Sequence, residues 1–177
     1  MSHAFVKNHI HLVFSTKDRQ PSISKDVQPE LWSYLAGICR NQRMAPIAIN
    51  GMSDHTHILF HLPPTIALAK AIQLLKTNSS KWMNEHGRRF AWQEGYGAFS
   101  VSVSNTATVA KYIRNQEQHH RKMTFEQEYR ALLKKHGIRS RCSMILLVCR
   151  PASGACHFWA LCPTAYAMGS IIPPCRA

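Results

Sequence analysis

Four segments of the chain have the hydrophobic pattern of β-strands. They are rich in β-branched and aromatic residues, or alternate between apolar and polar positions, and they cover residues 5–16, 44–52, 55–62 and 98–104. In the last segment Phe99, Val101 and Val103 alternate with serines, which is typical of a half-buried strand. Polar clusters, prolines and the Asn50-Gly51 pair separate the segments, so we expect strands that end in turns.

Four other segments favour helices, covering residues 25–43, 65–86, 105–122 and 124–136. In the first two, apolar residues recur at the spacing of one helix face. Thr65 follows Pro63-Pro64 and is a good N-cap for the second helix. Gly137 follows the fourth segment and suits the position just past a helix end.

The predicted order is strand, helix, strand, strand, helix, strand, followed by two helices. A β-α-β-β-α-β run is typical of the ferredoxin-like arrangement, in which helices back one face of an antiparallel sheet. We therefore predict an α+β protein with a ferredoxin-like antiparallel sheet and extra C-terminal helices. The first and third strands are central neighbours in that topology, so we expect the histidines on these two strands to lie close together.

The chain is strongly basic, with a formal net charge of +13 and a pI near 9.9. Folding does not require such an excess of charge. A polyanionic partner explains it most simply, and nucleic acid comes ahead of a membrane surface. A length of 177 residues suits one domain with a single core. The N-terminal residues lack the apolar run of a signal peptide, so we expect a cytoplasmic protein.

The composition changes near residue 139. Five of the six cysteines lie from Cys142 to Cys175, and residues 139–177 contain no Asp or Glu. These cysteines lack the closely spaced pairs of a zinc module. We predict a catalytic or binding domain over residues 1–138. We interpret residues 139–177 as an atypical cysteine-rich tail that is poorly ordered or derived from a shifted reading frame.

His55 and His57 are two apart on a predicted strand, so their side chains project from the same face of the sheet. Two imidazoles so placed can hold one divalent metal ion. A chain with eleven histidines also contains such pairs by chance, and His9 and His11 form a second pair of the same kind. The strand pattern alone does not decide between the two pairs.

The predicted helix over residues 105–122 adds a tyrosine and an amide. Tyr112 and Gln116 are four residues apart and so lie on one helix face, with His119 and His120 a further turn along. A phenol with a pKa of about 10 is a poor nucleophile at neutral pH. A divalent cation on the phosphate that it attacks can supply polarisation, and Gln116 offers an amide oxygen as a further ligand.

The segment Asp54-His55-Thr56-His57, followed by Tyr112 to His120, resembles the HUH-type single-tyrosine transposases of small insertion sequences, which include the REP-associated tyrosine transposases. Residues 62–64, 79–82 and 92–100 also look like that family, and the likeness covers roughly residues 1–138. It implies a DNA transposase that cleaves and rejoins single-stranded DNA through a 5′-phosphotyrosine intermediate. It also implies Mg²⁺ or Mn²⁺ as cofactor, hairpin-bearing element ends as substrate, and a homodimer with shared active sites.

By position, the resemblance assigns Tyr112 as nucleophile, His55 and His57 as metal ligands, and Gln116 as the third ligand. The pair His9 and His11 matches the family's first strand rather than its metal motif, so we interpret it as structural or DNA-adjacent. Candidate phosphate contacts share a positive charge near the predicted site or on a helix: Lys17, Arg19, Lys76, Lys81, Arg114, Arg121 and Lys122. Trp92 and Tyr96 are candidates for stacking on unpaired bases.

Two features depart from the family pattern. Thr56 stands where a bulky apolar residue is usual, and we expect a small loss of core burial with an intact metal pair. The tail is the second departure. An alternative function is therefore a domesticated or inactive relative that binds structured single-stranded DNA. An RNA-binding ferredoxin-like module, in which the histidines only pack, leaves the Tyr112 and Gln116 pair unexplained.

Overall fold

The computed structural model describes residues 5–139, in which four strands form one antiparallel sheet. The strands are β1 (His9–Ser15), β2 (Ala45–Gly51), β3 (His55–His61) and β4 (Gly97–Val101), and their order across the sheet is β2-β3-β1-β4. The first and third strands are central neighbours, with Val13 opposite His57. The predicted ferredoxin-like arrangement is confirmed.

Helices cover both faces of the sheet. Helices α1 (Gln28–Asn41) and α2 (Leu68–Glu85) pack on one face, where the side chains of alternate β1 and β3 residues form the main apolar core. The opposite face is covered by the predicted extra helices, which are α3 (Thr106–Arg114), α4 (Gln116–His120) and α5 (Phe125–Lys135). The histidine pair on β3 faces this second layer.

Several predicted boundaries are wrong, and two of them have a clear cause in the structure. Thr65 is not the N-cap of α2, because the Ile66 N–H donates to the Pro63 carbonyl and closes a turn, so the helix begins only after Ala67. The fourth strand ends at Val101 rather than at residue 104. Val101 lies opposite His9, the first residue of β1, so a longer β4 would have no partner on that side.

The helix predicted over residues 105–122 is broken at Asn115. The Asn115 N–H donates to the carbonyls of Lys111 and Tyr112, which ends α3. The Asn50 side chain donates to the Arg114 carbonyl across 2.9 Å and so ties this end to β2. A contact from another element therefore stabilises the break, and spacing within the segment could not have predicted it.

Two glycines fix local geometry near the site. A Cβ on Gly51 would lie 2.2 Å from the His55 carbonyl oxygen, so the tight β2–β3 turn that positions His55 requires glycine. Gly137 has a φ of +68° just past α5, which confirms the predicted helix end. At its other end, α5 begins with a capping box between Thr124 and Gln127.

Within residues 5–139, none of the helices combines the length and the apolar character needed to cross a bilayer. The predicted cysteine-rich tail lies outside the described residues except for Arg139. The division of the chain at residue 138 therefore stays a prediction.

Candidate active site

Strands β1 and β3 bring three histidines to the face that α3, α4 and α5 cover. His11, His55 and His57 are each at most 3% exposed, so these polar rings lie in the interior. Buried polar groups are costly unless they are partnered, so each ring nitrogen needs an explanation.

His55 is held by an acidic neighbour. Its Nδ1 lies 2.7 Å from Asp54 Oδ1, while the Arg19 guanidinium donates to Asp54 Oδ2 at 2.8 and 3.2 Å. Although burial opposes ionisation of Asp54, the hydrogen bonds from His55 and Arg19 lower its pKa to about 2. Burial lowers the pKa of His55 to about 4, despite the opposing effect of Asp54. His55 is therefore neutral at pH 7, the form that binds metal ions.

His57 is held by His11, which belongs to the second candidate pair, His9 and His11. The His57 Nδ1 lies 3.0 Å from His11 Nε2, and the two rings stack with 5.2 Å between their centroids. Burial, followed by the effect of His57, lowers the pKa of His11 well below its usual value. His9 instead lies 3.0 Å from the Thr106 hydroxyl at the start of α3. The two histidines of the first strand thus have different surroundings, and only His11 contacts the metal motif.

Glu128 of α5 lies at the centre of the site, although the sequence interpretation gave it no role. It is 2% exposed, and its Oε2 lies 3.1 Å from His120 Nε2, 3.4 Å from His57 Nε2 and 3.8 Å from His55 Nε2. One ligand atom from each of these four residues lies within 4.8 Å of the others.

The other oxygen of Glu128 faces the predicted nucleophile. The Tyr112 hydroxyl donates a short hydrogen bond to Oε1, and Gln116 Nε2 donates to the same oxygen at 3.2 Å. Burial raises the pKa of Tyr112, and the nearby Glu128 charge raises it further. Burial opposes ionisation of Glu128, but contacts with His120 and His57 outweigh it and lower the pKa of this carboxyl. The structure thus brings Tyr112, Gln116 and the histidine pair together within one chain.

Several buried polar atoms at this site have no hydrogen-bond partner among the described residues. They are His55 Nε2, His57 Nε2, Gln116 Oε1, His119 Nε2, His120 Nε2 and Glu128 Oε2. Leaving a buried polar atom without a partner costs about 1–3 kcal/mol. A divalent cation would satisfy lone pairs of imidazole nitrogen and carboxylate oxygen together, so the residues present fit a metal ion.

Two of the predicted DNA contacts lie beside the tyrosine. Arg121 and Lys122 line a cavity of about 470 Å³, together with Tyr112, Asn115, Gln118 and His119. This cavity therefore has two cationic side chains and the predicted nucleophile Tyr112 in its lining.

The remaining predicted contacts are dispersed. Arg19 is engaged by Asp54, and the Lys76 ammonium contacts the carbonyls of Gln93, Glu94 and Gly95. Lys81 pairs with Glu85 on α2, which packs on the other face of the sheet, and Arg114 donates to the Ile47 carbonyl. Lys17 follows β1 in a short turn. Trp92 is only 8% exposed and donates to Ser79, so it belongs to the core rather than to a stacking surface, whereas Tyr96 is 41% exposed.

Sequence reasoning missed the roles of Glu128, His120, His11 and Asp54 at this site. A signal for Glu128 was present, since it lies in the buried stripe of α5 with Phe125, Tyr129 and Leu133. An acidic residue at such a position needs a partner in the interior. For His11 the signal was the predicted topology, which makes β1 and β3 neighbours, and the pairing of these strands does place His11 on His57.

The chain is similar to known transposases. The sequence profile of the family described as "Transposase IS200 like" matches residues 4–116. Transposases for the insertion sequence element IS200 from Salmonella typhimurium and Salmonella typhi are each 26% identical over 114 residues. The match covers 60% of this chain and 74% of each relative.

Two solved structures share the fold. A candidate transposase from Deinococcus radiodurans matches 66% of this chain and 96% of its own, with a TM-score of 0.52 and 23% identity. A REP-associated tyrosine transposase bound to a REP hairpin matches 68% of this chain and 73% of its own, with a TM-score of 0.52 and 14% identity. At these identities the structures support the fold, whereas the profile match spans more than half of the sequence. The chain belongs to the family of IS200-like transposases.

Proposed function

We propose that this transposase cleaves and rejoins single-stranded DNA through a 5′-phosphotyrosine on Tyr112, with a divalent metal ion held by His55, His57 and Gln116. One observation carries the proposal. Tyr112 donates to one oxygen of Glu128, and the other oxygen of Glu128 lies 3.4 Å from His57 Nε2. The hydroxyl thus lies next to buried donor atoms that fit a metal ion.

The chain's residues have separate tasks in the cleavage step. Tyr112 Oη forms a bond to a backbone phosphorus, the bond from that phosphorus to the 3′ oxygen breaks, and the phenol proton ends on the released 3′-hydroxyl. A bound metal ion would supply charge neutralisation at the non-bridging phosphate oxygens. Asp54 and His11 orient the two histidines by holding their Nδ1 atoms.

Rejoining uses the same groups in reverse. The phosphotyrosine keeps the free energy of the phosphodiester bond, so a second DNA 3′-hydroxyl can displace Tyr112 without ATP. Tyr112 then recovers its proton from the attacking hydroxyl. Transposition needs both steps, because cleaved ends must be joined at a new position.

The DNA strand is proposed to enter through the cavity that Arg121 and Lys122 line beside Tyr112. Two cations next to the nucleophile favour a phosphate backbone at the reacting position. The hairpin-bound REP-associated transposase with the same fold supports a hairpin-bearing single strand as the substrate. Lys17 and Arg114 are proposed as peripheral contacts, and Lys76, Lys81 and Arg19 stay predictions of DNA binding that have other partners here.

The metal ion is proposed to be Mg²⁺ or Mn²⁺, as the resemblance implies. Gln116 supports this assignment, since its amide oxygen is buried and has no hydrogen-bond partner among residues 5–139. An amide oxygen is a ligand that both ions accept.

The resemblance also implies a homodimer with shared sites. In this chain, however, Tyr112 lies with its own histidines, with ring centroids of Tyr112 and His57 5.9 Å apart. We therefore propose a homodimer in which each chain can supply both halves of its site. Light scattering would measure the molar mass in solution and so show whether the protein is a dimer. Mixing Tyr112→Phe chains with His57→Ala chains should give no covalent product, whereas product from the mixture alone would indicate shared sites.

The function is tested by incubating the protein with hairpin-bearing single-stranded DNA and Mg²⁺ or Mn²⁺, then looking for a covalent adduct on a denaturing gel. Wild type should form the adduct, Tyr112→Phe should not, and the matched control Tyr34→Phe on α1 should retain it. DNA binding without an adduct would support the inactive relative instead. An adduct in Tyr112→Phe would overturn the assignment of the nucleophile.

A further inference from the structure

His120 is anchored in the same way as the two histidines of β3. Its Nδ1 lies 2.9 Å from the Met123 carbonyl oxygen, so this nitrogen carries the proton that the ring donates. In the neutral ring, Nε2 is then left with its lone pair, and one nitrogen of His120 lies within 4.8 Å of a nitrogen of His55 and of His57. Two imidazoles from β3 and one from α4 therefore present acceptor atoms to one buried place.

Glu128 adds a carboxylate oxygen to these nitrogens. The distances from its Oε2 to the three Nε2 atoms are 3.1, 3.4 and 3.8 Å. A carboxylate oxygen and a lone-pair nitrogen are both acceptors, so they repel each other unless a cation or a proton lies between them. Ligand atoms that share one metal ion at about 2.1 Å are separated by roughly 3–4 Å. The observed separations fall in that range.

We infer that His120 and Glu128 complete the metal centre of His55 and His57, and that this centre takes a transition-metal ion such as Mn²⁺, Co²⁺ or Zn²⁺ in preference to Mg²⁺. Imidazole nitrogens favour transition metals, whereas Mg²⁺ prefers a cage of oxygen atoms. The inference rests on the proposed function and deepens it, since it adds two ligands and, of the two proposed ions, favours the transition metal Mn²⁺ over Mg²⁺. Both added residues lie beyond residue 116, where the family match ends.

Glu128 would also connect the ion to the nucleophile. While Oε2 faces the histidines, Oε1 accepts from the Tyr112 hydroxyl and from Gln116. Helix α5 is held against the site because the Phe125 ring stacks on His55, with 4.2 Å between centroids. Glu128 is thus both a metal ligand and a positioning residue for Tyr112.

An ion pair between protonated His120 and Glu128 is the competing arrangement, because it satisfies the same two atoms without a metal ion. The ion pair and the metal centre predict different results. In that case His120 is not a ligand, its removal leaves metal affinity unchanged, and the metal centre contains two imidazoles rather than three.

Calorimetric titration of the DNA-free protein with Co²⁺, Mn²⁺, Zn²⁺ and Mg²⁺ separates the two arrangements. We expect one transition-metal ion per chain and an Mg²⁺ affinity at least about 100-fold weaker. His120→Ala and Glu128→Gln should each weaken Co²⁺ binding at least about tenfold. The matched controls His86→Ala, just after α2, and Glu126→Gln on α5 should leave the Co²⁺ affinity unchanged. Equal affinity for Mg²⁺ and Co²⁺, or unchanged Co²⁺ affinity in both site variants, would overturn the inference.

X-ray absorption of the Zn²⁺-loaded wild type gives a second test that needs no variant to fold. Three imidazole ligands and at least one oxygen ligand support the inference, and two imidazoles overturn it. Neither measurement depends on DNA cleavage. If the metal centre is as inferred but no tyrosyl adduct forms, the proposed function fails alone. If an adduct forms while His120→Ala and Glu128→Gln bind metal normally, only the inference fails.

Discussion

The two faces of the central sheet are made from alternate residues of β1 and β3, and both are buried, yet only one of them carries buried histidines. Leu12, Phe14, Ile58 and Phe60 face α1 and α2 and are fully buried among apolar side chains. His11, His55 and His57 on the same strands face the layer of α3, α4 and α5 and are almost as deeply buried. The first face needs only close packing. On the second face each polar group needs a specific partner. Burying the histidines there therefore stabilises the fold less than burying apolar side chains would, and the face serves the site instead.

The largest expected effect belongs to the apolar face. Phe60→Ala removes a fully buried ring from β3 and should lower the free energy of unfolding by about 3–5 kcal/mol. Urea unfolding without metal measures the loss, and metal affinity of the folded variant at low temperature should match wild type. Phe5→Ala is the control, because that ring is 97% exposed and its loss should change stability by less than about 0.5 kcal/mol. If folded Phe60→Ala bound the metal ion more weakly than wild type, the two faces would not be independent.

On the histidine face, pH should change the stability of the metal-free protein. The pKa of His55 falls from 6.5 to about 4 on folding, chiefly because of burial. As the pH falls through this interval the unfolded chain takes up a proton that the folded chain does not, so folding stability decreases, by on the order of 3 kcal/mol. The variant His55→Gln should lack this decrease in stability at low pH, whereas the exposed control His86→Gln should still show it. Equal pH profiles for wild type and His55→Gln would contradict the burial argument.

Asp54 should affect the metal ion without touching it. Asp54→Asn preserves shape but removes the charge that holds Arg19 and the proton of His55 Nδ1. Loss of such a supporting carboxylate typically weakens metal binding about 10–100-fold. Titration with Co²⁺ measures this, and Asp26→Asn is the control, since Asp26 pairs with Arg88 on the surface. If Asp54→Asn bound Co²⁺ like wild type, the negative charge of Asp54 would not be needed for His55 to bind the ion.

Sequence reasoning was accurate where the information lies within one element. The composition and bounding turns of single segments predicted β1 and β3, and the two-residue repeat of a strand predicted the shared face of His55 and His57. Sequence reasoning failed for contacts that depend on how the last helices pack on the sheet. Nothing in the spacing of α5 indicates that Glu128 lies 3.4 Å from His57, because that contact depends on how the last helix packs on the sheet. The break at Asn115 has the same origin, since Asn50 on β2 supports it.

The smallest effect is expected at Thr56, which departs from the family pattern between the two metal-motif histidines. By alternation it faces the apolar side of the sheet, where it is fully buried, and its hydroxyl donates to the Asn50 carbonyl across 3.3 Å. Thr56→Val would exchange one long hydrogen bond for apolar contact, so the free energy of unfolding should change by less than about 1 kcal/mol. Metal affinity and adduct formation should be unchanged, because His55 and His57 project from the other face. A tenfold loss of metal affinity in Thr56→Val would mean that the hydrogen bond to Asn50 sets the position of the histidine pair, and that this face of the strand also serves the chemistry.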